Sequence, residues 1–286
     1  MTEQLLALGD MGASQTRVTL TDSEGFTLGV DYSRTDPADY EGSVQAVADK
    51  MQDMAGGREL SAASIAVAAR VDHEGRLIQS GALSPWIGRC LGEDMATALD
   101  LPPELVGLQN DAAALALSQY EMNRRNGIDV EGAVVTFSSG WGGALFDGKG
   151  DTYPREPGHS YNLRPGAVCP CGEEGHAEAY ISGKGVELNH GVSMKEWLKN
   201  PGAASELVQD MSEATRAFLE DQPGFVLRDL RWTGGVALNQ PFVMGRVAEQ
   251  LRRYMRHKAP HMDVMTMGDQ AGLHGTFIDA KRRAAA

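Results

Sequence analysis

Glu156-Pro157-Gly158-His159, followed after a spacer by Gly166 and then by Cys169-Pro170-Cys171-Gly172-Glu173-Glu174-Gly175-His176-Ala177-Glu178, concentrates metal-binding side chains in one short span. Two cysteines stand one residue apart, with a histidine towards each side. Zinc takes four soft or borderline ligands in a tetrahedron, and a site closed by four protein ligands is structural rather than catalytic. His159, Cys169, Cys171 and His176 form such a set. The bland alternative is two unrelated thiols beside surface histidines. The glycines weigh against it, because they permit the tight turns that converging ligands need. Glu156 and Glu178 flank the cluster and suggest that it shapes a polar site.

The chain around this span has 286 residues, enough for one or two domains with full cores. It carries 39 acidic against 26 basic residues, a net charge of -13. That balance argues against a general phosphate-backbone binder, which needs a basic face. It leaves room for small anionic ligands, which backbone amides hold locally. Three cysteines, two of them assigned to the metal, make no disulfide framework, which fits a reducing, cytoplasmic compartment. Cys90, the third, reads as a packed small residue. No signal peptide opens the chain and no apolar run approaches a membrane span, so neither membrane nor nucleic acid is an expected partner.

Apolar periodicity gives the organisation. Leu5 to Leu8, Arg17 to Thr21 and Phe26 to Val30 read as a three-stranded antiparallel start, with Asp22-Ser23-Glu24-Gly25 as a turn. Val44, Val47, Met51 and Met54 recur at helical spacing, and Gly56-Gly57 ends that helix. Strands follow at Ser64 to Val71 and Leu105 to Leu108, with helices at Leu91 to Leu99 and Ala112 to Tyr120. The order then repeats. Ala133 to Phe137 and Ala144 to Phe146 are strands about a glycine-rich turn, and the metal span follows. A helix starts near Glu178 and another covers about Ser205 to Leu219. Asp229 to Thr233 is a strand, Phe242 to His257 a helix, Val264 to Met267 a strand and Ala271 to Arg283 a last helix. Two α/β lobes of similar build with a cleft between them are expected. The boundaries expected are 1–109 plus 271–286 for a smaller lobe and 110–270 for a larger one carrying the metal loop.

Four further motifs sit at element ends. Asp10-Met11-Gly12-Ala13-Ser14 follows the first strand. Its small residues allow a phosphate close to the backbone, and Asp10 can face magnesium or its waters. Alone, it is more readily an ordinary hairpin turn. Ser138-Ser139-Gly140-Trp141-Gly142-Gly143 stands at the matching place in the second half. Two such turns can grip a polyphosphate from both sides, a pair far more specific than either member. Gly234-Gly235-Val236-Ala237 closes a strand before a helix and can lie against a base or ribose, or simply start the helix. Asn110-Asp111 lies between a strand and a helix. It is an N-cap, or Asp111 is a general base that orients a sugar hydroxyl and takes its proton.

With these residues in order, the chain resembles the ROK family (repressors, open reading frames and sugar kinases). The metal span is the most specific part, with the form E-x-G-H, a spacer, then C-x-C-G-x-x-G-C-x-E. Asp269-Gln270-Ala271-Gly272-Leu273-His274-Gly275 extends the resemblance to the end. It implies a two-lobed actin-like ATPase fold of the ribonuclease H-like, hexokinase type. It also implies roles: Asp111 as catalytic base, and Asn110, Glu156, His159 and Glu178 on the sugar hydroxyls, His159 binding zinc through one ring nitrogen and sugar through the other. Asp10, Gly12 and Ser14 would meet phosphate and magnesium from one lobe, Ser139, Gly140, Gly142 and Gly143 from the other, and Gly235 the adenosine.

The sequence departs from that pattern at several points. His176 replaces the usual third cysteine, and imidazole remains a good zinc ligand. Ala13-Ser14 and Ser138-Ser139 each stand for Gly-Thr, and Ala144 for a third glycine, which bears on nucleotide affinity. Ala69-Arg70-Val71-Asp72 replaces a Gly-Pro-Val-Asp and resembles the Gly-Arg-Val of N-acetylmannosamine kinases, so Arg70 joins the candidate sugar contacts. The resemblance implies an ATP-dependent, zinc- and magnesium-using kinase of a hexose-like hydroxyl, at the 6-position, with a homodimer as the expected assembly. Glucose stands slightly ahead of an N-acetylhexosamine or cyclitol. A sugar-sensing repressor would need a DNA-binding domain before residue 10, and a decayed, sugar-binding kinase is opposed by the presence of Asp111.

Overall fold

The computed structural model describes residues 4–81, 83–265, 267 and 270–286. The chain divides into two compact units, Met1–Ser118 with Gln270–Ala286, and Gln119–Asp269.

In the first unit, β1 (Leu5–Met11), β2 (Gln15–Asp22) and β3 (Thr27–Arg34) form an antiparallel meander. α1 (Tyr40–Ala55) follows, capped by Asp39, whose Oδ1 accepts the Gly42 N–H at 2.9 Å. β4 (Ala62–Val67) then runs parallel to β1. A two-stranded hairpin of β5 (Arg70–Val71) and β6 (Leu77–Gln79) stands apart from that sheet. α2 (Leu91–Leu99) leads to β7 (Val106–Asn110), parallel to β4, and α3 (Asp111–Arg125) begins directly from it. The sheet order is β3-β2-β1-β4-β7. β1 and β4 are buried on both faces, which explains why they read as apolar runs without alternation. Ala7, Ile65 and Val67 pack in one core with Val44, Val47 and Met51 of α1 and Leu91 and Met95 of α2. The opposite face takes the last helix of the chain, Ala271–Ala284, through Ser64, whose hydroxyl donates to Asp279 Oδ2 at 2.7 Å.

The second unit repeats the plan. β8 (Gly132–Phe137), β9 (Trp141–Phe146) and β10 (Thr152–Arg155) are an antiparallel meander. Short helices α4 (Pro157–Ser160), α5 (Glu178–Ile181), α6 (Gly183–His190) and α7 (Met194–Trp197) precede the long α8 (Ala203–Glu220). β11 (Asp229–Thr233) pairs parallel with β8, then come α9 (Gly234–Asn239) and α10 (Pro241–Met255), and β12 (His261–Val264) runs parallel to β11. The order β10-β9-β8-β11-β12 has the same sequence of antiparallel and parallel pairings as the first sheet. The last helix, α11 (Ala271–Ala284), returns to the first unit. Phe137, Trp141, Phe218 and Trp232 are fully buried in the second core, with Phe137 and Trp141 stacked at 5.7 Å between centroids.

The repeated α/β build is as expected, and several details differ. Asp10 lies inside β1, opposite Arg17, rather than after it. The strand expected over Ser64 to Val71 stops at Val67, and Arg70–Val71 belongs to the separate hairpin. The strand expected over Val264 to Met267 is found at His261–Val264; Thr266, Gly268 and Asp269 lie outside the described residues. The units divide after Ser118 and before Gln270, so Asn110 and Asp111, expected to open the second lobe, sit in the first unit. Among the described residues no helix is long and apolar enough to cross a membrane.

Candidate metal centre and phosphate-binding turns

The metal span folds as a loop between α4 and α5. His159 is on α4, and Cys169-Pro170-Cys171-Gly172 forms a turn in which the Gly172 N–H donates to the Cys169 carbonyl at 2.8 Å. Gly172 has φ 98°, a left-handed conformation that glycine adopts without a Cβ clash. The ligand atoms of His159, Cys169, Cys171 and His176 all lie within 4.8 Å of one another. Cys169 Sγ is 3.5 Å from His159 Nδ1 and Cys171 Sγ is 3.3 Å from His176 Nδ1. Zinc–sulfur and zinc–nitrogen bonds of ordinary length at tetrahedral angles would set such pairs about 3.5 Å apart. The four residues therefore fit a tetrahedral ion as they stand. Burial, with the neighbouring Cys171 and the Glu178 carboxylate adding to it, pushes the Cys169 thiol up to about 12. An ion bound there would displace that proton.

Residues far away in sequence hold the loop. Arg164 forms a two-pronged ion pair with the buried Asp210 of α8, its Nη2 2.8 Å from Oδ2 and its Nη1 on Oδ1, and it reaches Glu206 Oε1 at 3.0 Å. Its guanidinium lies 4.1 Å from the centre of the Tyr180 ring, and the Tyr180 hydroxyl donates to the Arg164 carbonyl at 2.6 Å. Asn189 of α6 pairs with the backbone of Val168, beside Cys169: Oδ1 accepts the Val168 N–H at 2.9 Å and Nδ2 donates to the Val168 carbonyl at 2.9 Å. None of Arg164, Tyr180, Asn189 or Asp210 was among the residues singled out from the sequence. A lone Asn or Arg carries no signal when its partner is fixed only by the fold.

Glu178 connects the metal centre to the second turn. Its Oε1 lies 3.7 Å from His159 Nε2, and its Oε2 accepts the Trp141 N–H at 2.8 Å. The carboxylate is buried against Gly140 and Gly158. A Cβ on Gly158 would stand 2.7 Å from Oε2 and 2.7 Å from the Trp141 carbonyl. His159 thus turns Nδ1 to the Cys169 Sγ and Nε2 to Glu178. Glu156 is half-buried at the start of α4, where its carbonyl accepts the His159 and Ser160 N–H groups at 3.2 and 3.1 Å.

Ser138, Ser139 and Gly140 form the turn between β8 and β9, closed by the Ser138 N–H on the Gly140 carbonyl at 2.9 Å. The first two N–H groups of α6 are used here. Gly183 donates to Ser138 O at 2.8 Å and Lys184 to Ser139 O at 3.0 Å. Ser139 is exposed, Gly142 is half-buried, and Gly143 is buried in β9 under the Val134 carbonyl. Gly235 lies beside this turn, since a Cβ on it would be 4.0 Å from Ser138 Oγ. Ser139, Gly140 and Gly235 are therefore gathered at one end of the second sheet.

In the first unit, the turn from Gly12 to Ser14 joins β1 to β2, with the Gly12 N–H on the Gln15 carbonyl at 3.1 Å. Gly12 has no positive φ, and an added Cβ would touch only the Gln15 carbonyl at 3.4 Å, so little in the fold itself demands glycine there. Ser14 is exposed and Asp10 half-buried. Asn110 ends β7, buried. Its Oδ1 accepts the Ala112 and Ala113 N–H groups at 3.0 and 3.3 Å, and its Nδ2 donates to the Ala69 carbonyl at 3.0 Å. Asn110 caps two N–H groups, and Asp111, the exposed first residue of α3, shares the Ala112 N–H through its own Oδ1 at 2.8 Å. Arg70 is exposed on the β5–β6 hairpin, where Nη1 donates to Gln79 Oε1 at 3.1 Å. Asp111 and Arg70 belong to one unit and Glu156, His159 and Glu178 to the other. Of the last motif, Asp269 lies outside the described residues, and His274 Nδ1 meets Ser118 Oγ at 2.8 Å.

A glucokinase of Streptomyces coelicolor is 27% identical over 186 residues, which cover 62% of this chain and 56% of that protein, so the match spans little more than half the relative's length. The solved structure of a ROK family glucokinase from Streptomyces griseus in complex with glucose and AMPPNP superposes with a TM-score of 0.74 at 22% identity, covering 98% of this chain and 99% of that one. A ROK family transcriptional regulator, a homologue of the E. coli MLC protein, reaches a TM-score of 0.80 at 15% identity, covering 98% of this chain and 78% of that one. These likenesses give the fold as the actin-like ATPase fold. Residues 8–283 match the ROK family, a span that takes in both sheets, both turns and the metal span, and the chain belongs to that family.

Proposed function

We propose that the chain is an ATP-dependent carbohydrate kinase that phosphorylates a hexose-like hydroxyl, at the 6-position, with glucose as the first candidate. The observation that carries this reading is the placement of Asp111. Asn110 caps α3 and is tied to Ala69, and Asp111 stands exposed at the very start of the helix, its Oδ1 accepting the Ala112 N–H at 2.8 Å. In the proposed reaction Asp111 accepts the proton of the acceptor hydroxyl. The oxygen attacks the γ-phosphorus, the bond from that phosphorus to the bridging oxygen breaks, and ADP leaves.

Asn110, Glu156, His159 and Glu178 are assigned to the acceptor. The turns at Asp10–Ser14 and Ser139–Gly143, with magnesium, are assigned to the phosphates, and Gly235 to the adenosine. His159, Cys169, Cys171 and His176 would hold a zinc ion, which would fix the His159 ring rather than activate a reactant. Membership of the family and the partial match to a glucokinase support this reading. A cytoplasmic homodimer completes it.

Arg70 favours a second acceptor, an N-acetylhexosamine such as N-acetylmannosamine. Its exposed guanidinium can donate to an N-acetyl carbonyl. The test is ADP release from magnesium–ATP with glucose, mannose, fructose, N-acetylglucosamine and N-acetylmannosamine. Turnover on glucose supports the first reading. Turnover confined to the N-acetyl sugars, and lost in Arg70→Ala, supports the second. Sugar binding by calorimetry without turnover on any of the five overturns both in favour of a sugar-sensing protein.

A further inference from the structure

α6 is fastened at both ends to parts of the proposed site. At its start, the Gly183 and Lys184 N–H groups hold the carbonyls of Ser138 and Ser139 at 2.8 and 3.0 Å. These are helix N-terminal donors with no partner inside the helix, and here the turn satisfies them. Near its end, Asn189 closes a reciprocal pair with the Val168 backbone, both bonds 2.9 Å long. The same Nδ2 reaches back to the Gly185 carbonyl at 2.8 Å, which ties the Val168 contact to the helix's own first turn. Val168 precedes the metal ligand Cys169. A second link runs in parallel through Glu178, from His159 Nε2 to the Trp141 N–H. Both ends of the Ser138–Trp141 turn are thus attached to the metal loop, one through a helix and one through a carboxylate.

We propose that Asn189 is a positioning residue that couples the metal centre to the Ser138–Trp141 turn, so that an ordered metal loop sets the shape of the phosphate-binding turn. The inference rests on the reading of His159, Cys169, Cys171 and His176 as metal ligands and of the turn as a nucleotide contact. It adds that the metal serves the nucleotide as well as the acceptor. The chemistry of the contact is specific. An amide at position 189 offers one acceptor and one donor to a backbone N–H and carbonyl, and a carboxylate of the same shape sets oxygen against the Val168 carbonyl.

The test uses the full chain loaded with one zinc, as wild type, Asn189→Asp and Asn189→Ala. Three quantities are read: the rate of zinc release to a colorimetric chelator, hydrogen exchange of the Trp141, Gly183 and Lys184 amides, and the dissociation constant of magnesium–AMPPNP without sugar. Asn189→Asp is expected to release zinc about tenfold faster, to exchange those amides about tenfold faster and to weaken AMPPNP by a similar factor, the effect of one lost hydrogen bond of ordinary worth. Asn189→Ala, which loses both Val168 bonds but brings no opposing oxygen, should show the same changes. Faster zinc release with unchanged exchange at Trp141, Gly183 and Lys184 overturns the coupling and leaves Asn189 a local clamp. Unchanged zinc release in both variants also overturns it. If the wild-type chain binds no AMPPNP, the kinase reading fails by itself, while the exchange and release measurements still decide the coupling.

Discussion

Asp111 and Asn110 show how two adjacent side chains divide a task. From the sequence either could cap α3; the structure gives the cap to Asn110, with two helix N–H groups on its Oδ1, and places Asp111 one position later, exposed. Asp111→Ala should therefore keep the Asn110 cap while removing the proposed base and its 2.8 Å bond from the Ala112 N–H. A loss of about 100- to 10,000-fold in turnover is expected, with AMPPNP affinity unchanged. Near-normal turnover in this variant, on the best acceptor found, would reject the assignment. The cluster of His159, Cys169, Cys171 and His176 was legible from sequence for the opposite reason to the cap. All four lie in one short loop, so spacing alone brought them together, and their Sγ and Nδ1 atoms meet at 3.3 and 3.5 Å. Arg164 and Asp210 were not legible, because the buried Asp210 gains its partner from 46 residues away.

Among the elements, long strands and amphipathic helices were legible and short pieces were not. α8 was read from Ser205 to Leu219 and runs Ala203–Glu220, because its apolar face repeats over several turns. β5, β6 and β10 and helices α6 and α7 are too short for periodicity to rise above chance. Gly275 was read only as part of a motif, and the structure gives it a packing role. α11 crosses α3 so closely there that a Cβ on Gly275 would stand 1.9 Å from the Ala114 carbonyl oxygen and 2.5 Å from its carbon. Backbone cannot yield as a side-chain tip does, so Gly275→Ala must shift the helix. The expected cost is about 1–3 kcal/mol, a fall of several degrees in melting temperature by calorimetry. An unchanged melting temperature would mean that α11 sits less tightly on α3 than these distances require. Asp279 should show the strain as well, since it accepts from Ser64 one helical turn further on.

Across the molecule, one strand plan occurs twice, and the candidate metal loop belongs to the second copy. Each unit has its own core. Leu5, Val47, Ile65 and Val67 belong to the first, and Phe137, Trp141, Phe218 and Trp232 to the second. The doubled plan was visible in the sequence as two rounds of strands, glycine turn and helices. The exact division was not, because the boundary falls inside α3, a continuous helix with no break in its pattern to mark it. The metal loop is fastened within the second unit alone, to Asp210 of α8, Asn189 of α6 and Trp141 of β9 through Glu178. Closed four-ligand sites contribute their binding free energy to folding. Stripping the metal with a strong chelator, or the substitution Cys171→Ser, should therefore loosen the second unit first. Hydrogen exchange is expected to quicken at Val135 and Trp232 and to stay slow at Ile65 and Val67. Calorimetry should show a low-temperature shoulder that zinc restores to the main transition. Equal loss of protection in both units would show that the two cores melt as one, and no loss in either would show that the ligand cluster carries no folding energy.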